Sequence, residues 1–426
     1  MLSKEDNQLL TCTNQGTPMG ELFRQYWIPA LKSVELKSDG KPQQIRLLGE
    51  DLIAFRDTEG KVGLMEEACP HRGTSLYYGI NDGCGLRCMY HGWKFDTDGN
   101  CTEIPSEEGD PKFRKQIKIK NYPVKEVKGI IWTYMGPVEK QPPFPEFHWV
   151  GLPDENTMVE RVWQECNYAQ VMENDLDYVH AAFLHKAHGR QETSEGVIST
   201  DLGIDPEHPL VKNPPVKQDV EDTNYGKRCV AVGIGNEQQN AFMEIHYIFP
   251  FYTFPPRFGG EDGMWHAFIP RDDYSTWSWD VQFCHNRPID VEANYNRRGL
   301  KLDEHFKKQI SIENEYAQSR ELQKTGNFSG IRGIANQDHA ATETMGPIVD
   351  RSKEHLGTSD LPIIHMRRLL LQQVKAFQEG IEPLQLDNAS LKTLYSDGVY
   401  DDKHKAWQEA FPMKEQFQKN EIKVKS

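Results

Sequence analysis

The chain has 426 residues, of which 37% are hydrophobic and 27% charged, with a formal net charge of -15. That length accommodates two domains with separate cores, and the acidic balance argues against nucleic acid as a partner, because phosphate contacts need a basic face. There is no apolar run of about eighteen residues that would span a membrane, and the opening MLSKEDNQLLTCTNQGTPMG carries acids and amides instead of an apolar signal core, so a cytoplasmic location is expected.

In chain order, the first predicted elements are strands. Residues 45–48 (IRLL) and 52–55 (LIAF) read as a pair joined by Gly49, Glu50 and Asp51, and the turn signals at 57–60 (DTEG) and 96–99 (DTDG) predict further hairpins. Between them lie Cys69-Pro70-His71-Arg72-Gly73 and Cys88-Met89-Tyr90-His91-Gly92-Trp93, that is, Cys-x-His, sixteen residues, then Cys-x-x-His. Two thiolates and two imidazoles on paired loops are the ligand set of a Rieske [2Fe–2S] centre, in which the neutral His ligands raise the potential above that of an all-Cys cluster. Zinc competes for the same residues, but a Cys₂His₂ zinc site usually groups Cys with Cys and His with His, whereas here each half holds one of each. Pro70, Gly73 and Gly92 tighten the loops so that backbone N–H groups approach the sulfurs. The other six cysteines, Cys12, Cys84, Cys101, Cys166, Cys229 and Cys284, have no framework spacing and are expected to be free thiols; Cys84 lies between the loops but is not needed as a ligand.

The proline-rich stretch 136–145 marks the predicted boundary, giving a small β domain over 1–150 and a second domain over 151–426. Residues 163–180 read as a helix, 227–284 as a second antiparallel sheet, and 301–325 and 361–379 as helices; the whole is α+β. Residues 172–185 contain Asp177-x-x-His180-x₄-His185. Two His plus one carboxylate form the facial triad of non-haem Fe(II) oxygenases. Residues five apart on an α-helix point about 140° away from each other, so a shared metal requires the helix to end, or to carry a π-bulge, near 181–184. A solvated helical histidine pair is the plainer alternative, with His188 close by, and the cluster on the same chain favours iron. An acidic substrate would need a cation in the pocket, for which Lys186, Arg190, Arg228 and Arg257 are candidates by location.

With these segments in hand, the chain resembles the oxygenase component of Rieske non-haem iron oxygenases, and within it the phthalate 4,5-dioxygenase-like group. The resemblance runs over nearly the full length and is carried by 16–20 (GTPMG), Tyr26-Trp27, the two cluster loops, 173–185, 336–338 (NQD), 345–352 (MGPIVDRS) and 355–360 (HLGTSD). It implies a small antiparallel-β Rieske domain and a larger catalytic domain with an antiparallel sheet flanked by helices. Cys69 and Cys88 are then ligands of one cluster iron and His71 and His91 of the other. His180 and His185 bind a mononuclear Fe(II), with Asp338 as third ligand and Glu343 as the nearby alternative. Asp177 bridges a cluster His of a neighbouring subunit to an iron His of its own, and Asn174 lies beside the open iron positions. The implied activity is hydroxylation of a small aromatic, carboxylated compound with O₂ as co-substrate. Electrons come from an NADH-dependent flavin/iron–sulfur reductase, since the chain has no GxGxxG signature after a strand. O- or N-demethylation is the alternative reaction, and a Rieske electron carrier with a non-catalytic second domain the alternative class. A homotrimer or a hexamer is expected.

Overall fold

Residues 43–66 form an antiparallel meander, Gln43–Leu47, Glu50–Arg56 and Val62–Glu66, in a computed structural model that describes residues 1–107, 111–189, 199–212, 214–256 and 262–413. The first hairpin turns on two residues, Leu48 and Gly49, with φ of 48° and 78°. Paired positive φ values give the tight turn that matches strand twist, so Glu50 and Asp51, expected in the turn, begin the next strand instead. A four-stranded sheet, Ile80–Asp82, Gly85–Arg87, Lys94–Phe95 and Cys101–Glu103, and a three-stranded one, Trp27–Lys32, Ile130–Tyr134 and Val124–Val127, complete this small β unit. Its core packs Ile53, Phe55, Met65, Leu86 and Phe95 against Cys69, Cys88 and Trp93. The unit comprises residues 12–144 with 269–273.

The second unit comprises 1–11, 145–268 and 274–426. Its centre is an eight-stranded antiparallel sheet in the order Thr157–Gln164, Ser275–Cys284, Asp262–Asp272, Tyr252–Phe254, Gln239–Ile248, Gly226–Ile234 and Pro215–Asp222, with Gly398–Asp402 pairing beside Gln239–Ile248. Within the aromatic and β-branched run 227–284 the described residues are mostly strand, as the composition predicts. The helix expected over 361–379 is present as Leu361–Gln378, with Pro362 in its first turn and Met366, Leu370 and Val374 buried at helical spacing. Among the described residues no helix is long and apolar enough to cross a membrane.

Two helical expectations need correction. The segment 163–180 begins as strand, Trp163 facing Trp277 across the pair, and the helix starts only at Tyr168, where Asn167 accepts the Ala169 N–H at 3.1 Å as N-cap. The segment 301–325 is mostly turns. It holds 3₁₀-type turns over Ile312–Ala317 that are broken by a kink, and a single helical turn Leu322–Thr325. Glu315, Tyr316 and Ala317 take φ near 50°, which no right-handed helix allows, and Tyr316 is buried with its hydroxyl donating to Glu343 at 2.6 Å. That anchored side chain overrides local helix propensity.

Candidate functional site

The two cysteine loops are built alike. The Cys69 N–H donates to the Thr74 carbonyl (2.9 Å) and the Gly73 N–H returns to the Cys69 carbonyl (2.8 Å); the Cys88 N–H donates to the Trp93 carbonyl (2.8 Å) and the Gly92 N–H returns to the Cys88 carbonyl (3.0 Å). Gly73 and Gly92 have φ of 77° and 73°. A side chain at Gly73 would meet nothing within 4 Å, so it is the torsion and not space that demands glycine. Both thiols are buried and free, while His71 and His91 are half-buried with ring centroids 4.4 Å apart. His71 stacks on Trp93 at 4.4 Å with 6° between the planes. Burial pushes the Cys69 thiol up to about 11; the His71 backbone N–H opposes this and the neighbouring Cys88 adds to it. Partial desolvation, then His71 and Arg72, hold the His91 imidazole below its ordinary value. Two buried sulfurs beside two half-buried imidazoles fit the donor set of a [2Fe–2S] group. Cys84 sits apart, in the turn between Ile80–Asp82 and Gly85–Arg87, with φ of 62°.

In the second unit, the helix Tyr168–Leu176 ends before His180, and a single turn, His180–Phe183, ends before His185. The break falls where a shared metal requires it. His180 Nε2 and His185 Nε2 lie 3.1 Å apart, and the Asp338 Oδ1 lies 3.1 Å from the His185 Nε2 and 3.6 Å from the His180 Nε2. Ligands at right angles on one metal, each at roughly 2.1 Å, stand about 3 Å apart, so this trio has the spacing of a facial set. The outer ring nitrogens fix the tautomers: His180 Nδ1–H donates to the Asp177 carbonyl (2.5 Å) and His185 Nδ1–H to the Gln337 Oε1 (2.7 Å), which turns both Nε2 lone pairs inward. Gln337 is itself anchored, its Nε2 donating to the Ile331 carbonyl at 2.9 Å. The only sequence signal for that residue is its place beside Asp338 in the NQD segment. Burial would raise the Asp338 carboxyl, but His185 foremost, then His180 and the Asn174 amide, hold it far below the usual carboxylate range.

Asn174 donates to Asp338 Oδ1 at 3.1 Å, so it orients a candidate ligand. Asp177 touches His180 through its backbone carbonyl, not its carboxylate, whose Oδ1 accepts from the Val179 N–H at 2.8 Å. With the helix ending at Leu176, the carbonyl three residues back is the nearest acceptor for the ring. Glu343, the alternative ligand, is fully engaged: Oε1 accepts from Lys308 and from the Glu165 N–H, and Oε2 from Tyr316.

A cavity of about 630 Å³ is lined by His180, His185, Asp338, Asn174 and Asp177 together with residues of the sheet and of the helix Val291–Arg298. That volume suits a small organic molecule. Among the described residues of its wall are Arg287, Arg297, Arg298 and His266. Lys186 is exposed and does not line it. Arg228 is buried elsewhere, 2.9 Å from Glu244 and donating to the Phe411 carbonyl. Arg190 and Arg257 lie outside the described residues. Sequence position alone missed the arginines of 291–298, because only the packed helix shows which face meets the cavity.

His266 is clamped between Asp175 (Nδ1, 2.9 Å) and Asp280 (Nε2, 3.1 Å); Thr253 also donates to Asp175, and Arg298 Nη1 lies 3.0 Å from Asp280. Burial disfavours the imidazolium, but Asp175 and then Asp280 outweigh it and raise the group to about 10. A group raised on folding from 6.5 contributes stability that is complete below pH 6.5 and is lost as pH climbs toward 10. Melting temperature should therefore fall between about pH 7 and 10 in the wild type, and less steeply in His266→Gln; equal slopes for the two proteins would exclude His266 as the cause.

Comparison with known proteins agrees with this architecture. The family model "Rieske [2Fe-2S] domain" matches residues 26–123, and "LigXa C-terminal domain like" matches residues 133–424. The 3-chlorobenzoate-3,4-dioxygenase oxygenase subunit of Comamonas testosteroni is 34% identical over 94% of this chain and 95% of its own. The phthalate 4,5-dioxygenase oxygenase subunit of Pseudomonas putida is 35% identical over 89% of this chain and 88% of its own. Dicamba monooxygenase bound to dicamba superposes with a TM-score of 0.59 over 84% of this chain and 98% of its own at 18% identity, which shows a shared fold.

Proposed function

This chain belongs to the Rieske non-haem iron oxygenases, as an oxygenase subunit, and from that premise we propose that it is the terminal component that uses O₂ to hydroxylate a small carboxylated aromatic compound, with electrons from a separate NADH-dependent reductase. The observation that carries the reading is the convergence of His180 Nε2, His185 Nε2 and Asp338 Oδ1 on one point in the wall of a ligand-sized cavity. The proposal assigns Cys69, His71, Cys88 and His91 to the cluster, His180, His185 and Asp338 to a mononuclear Fe(II), and the division of labour to residues 1–150 and 151–426.

His180, His185 and Asp338 would hold the iron, which would supply O₂ activation, and the cluster held by Cys69, His71, Cys88 and His91 would supply the electrons. The chain's own residues do the rest. The Asp177 carbonyl and Gln337 hold the imidazoles in the ligating tautomer, and Asn174 aims Asp338. The apolar side chains Val171, Ile245, Met264, Phe268 and Ile334 line the cavity and keep water from the reacting ring. In a ring of three subunits, or two such rings, the Asp177 carboxylate accepts from His91 of the partner subunit and shortens the electron route to His180.

The test is turnover with a reductase and a panel of aromatic acids and aryl methyl ethers, with products identified by mass and NMR. A cis-dihydrodiol or phenol formed with O₂ uptake supports the reading. Demethylated product without ring oxidation makes the enzyme a demethylase, and cluster reduction with no substrate consumption makes it an electron carrier.

A further inference from the structure

The four-stranded sheet of the small unit has two unlike faces, because strand residues alternate sides. Leu86, Phe95 and Cys101 pair across the strands and point into the core. Arg87 lies opposite Lys94, and Lys94 opposite Glu103, so these residues meet on the other face. Asp82 joins them there, two residues from Ile80, the partner of Arg87. The two cations and two carboxylates close into a ring. Arg87 Nη2 donates to Glu103 at 2.7 Å and its Nε lies 3.7 Å from Asp82, while Lys94 Nζ lies 3.3 Å from each acid. Arg87 also reaches outside the ring, where its Nη1 donates to the Gly92 carbonyl at 3.1 Å. Cys88 follows Arg87 and Gly92 follows His91. This one side chain therefore spans the loop that carries Cys88 and His91, and adds a third closure to the two main-chain bonds that Cys88 makes with Trp93 and Gly92.

We propose that Arg87 is a positioning residue of the iron–sulfur centre, which clasps the second ligand loop around His91 and raises the reduction potential. This rests on the assignment of Cys69, His71, Cys88 and His91 to the cluster. Asp82, Arg87 and Glu103 are only half-buried, and ion pairs of that kind add little to stability. What the ring does is orient: Asp82 and Glu103, from two different strands, fix the plane of the guanidinium and leave Nη1 aimed at the loop. A guanidinium can donate in these three directions at once because its N–H groups form a rigid planar fork, whereas an ammonium has no such fork. Groups that hold a ligand's backbone in this way tune the metal through the ligand's orientation. Charge acts in the same direction. Reduction adds one electron to the cluster and breaks no bond, so a cation tied to its loop favours the reduced form, and net charge and hydrogen bonding set the potential. Without Arg87, Asp82 and Glu103 would face Lys94 alone and leave one net negative charge beside the loop.

The experiment measures the midpoint potential by protein-film voltammetry, the EPR spectrum of the dithionite-reduced protein, and the half-life of cluster loss to an iron chelator. It uses the full-length protein with its metals in place, as wild type, Arg87→Gln and Arg87→Lys. Circular dichroism checks that each is folded. Arg87→Gln should lower the midpoint, shift the Rieske g values and shorten the half-life about 10-fold, the size of effect seen when a group supporting a metal ligand is lost. Arg87→Lys keeps the cation and loses the fork, so it should hold a midpoint close to the wild type and still release the cluster faster. If Arg87→Gln does not fold, the release rate of Arg87→Lys decides alone. The proposal is overturned if Arg87→Gln matches the wild type in midpoint, or if Arg87→Lys matches it in release rate, since charge would then suffice without the clasp. Failure of the cluster assignment looks different: the wild type itself would hold zinc or lack the Rieske signal.

Discussion

Replacing Asp338 by alanine should remove about one iron of three per chain and lower turnover by on the order of 10³-fold, while the Rieske EPR signal of the dithionite-reduced protein is kept. The carboxylate is the one anionic donor of the trio, and without it two neutral imidazoles are left to hold a dication. Its distances to both Nε2 atoms, 3.1 and 3.6 Å, make it integral to the set. The cluster residues lie in the other unit, residues 12–144 with 269–273, so their signal reports independently. Gln337→Leu supplies a graded companion. It removes the acceptor for His185 Nδ1–H but leaves the donors, and should weaken Fe(II) binding by about 10- to 100-fold. Iron and acid-labile sulfide analysis with EPR measures all three proteins. Full iron content in Asp338→Ala would shift the third ligand elsewhere; Glu343 is a poor substitute, because Lys308, Tyr316 and the Glu165 N–H already occupy its oxygens.

Glu173→Gln should destabilise the catalytic unit by about 3–5 kcal/mol, the penalty for leaving buried charge without its partner. Glu173 lies on the helix Tyr168–Leu176 and accepts from Arg351 Nε and Nη2 (2.9 Å each) and from Arg367 Nε (2.7 Å). Arg367 also reaches Glu354 at 2.6 and 3.0 Å, and Arg351 Nη1 donates to Asn7 at 3.1 Å. Arg351 is fully buried. Two carboxylates and two guanidiniums thus balance inside the protein, tying the N-terminal segment, the site helix and the helix Leu361–Gln378 together. Burial alone would raise the Glu173 carboxyl, and the two guanidiniums hold it below its ordinary value instead. An amide in place of that carboxylate would keep the shape and leave two cations facing one acid. Because Asn174 follows directly, iron affinity should fall with stability. Differential scanning calorimetry of wild type and variant checks the first effect and Fe(II) titration the second; an unchanged melting temperature would mean the network adds no net stability.

The late segment 345–360 shows how unequal sequence signals are. It stands out by resemblance, yet its Arg351 serves that buried network and does not touch the metal donors. The cluster loops and the His180/His185 pair were legible because metal chemistry restricts residue type and short-range spacing, and both are properties of adjacent residues. The helix break between the two His followed from the same local geometry. By itself the sequence determined the Rieske cluster, the α+β fold and the class of chemistry, and it singled out the two imidazoles that the structure brings together. Tertiary structure alone decided which of Asp338 and Glu343 points at the imidazoles, although both lie on the helix Ile334–Glu343. It also decided that 301–325 is mostly turns with only short helical pieces, and that Arg297 and not Arg228 faces the cavity. Those outcomes depend on side-chain direction and on partners more than a hundred residues away, such as Gln164 or Glu165 for the end of the 334–343 helix. Local propensity and spacing carry no information about such partners, because it is packing that brings them together.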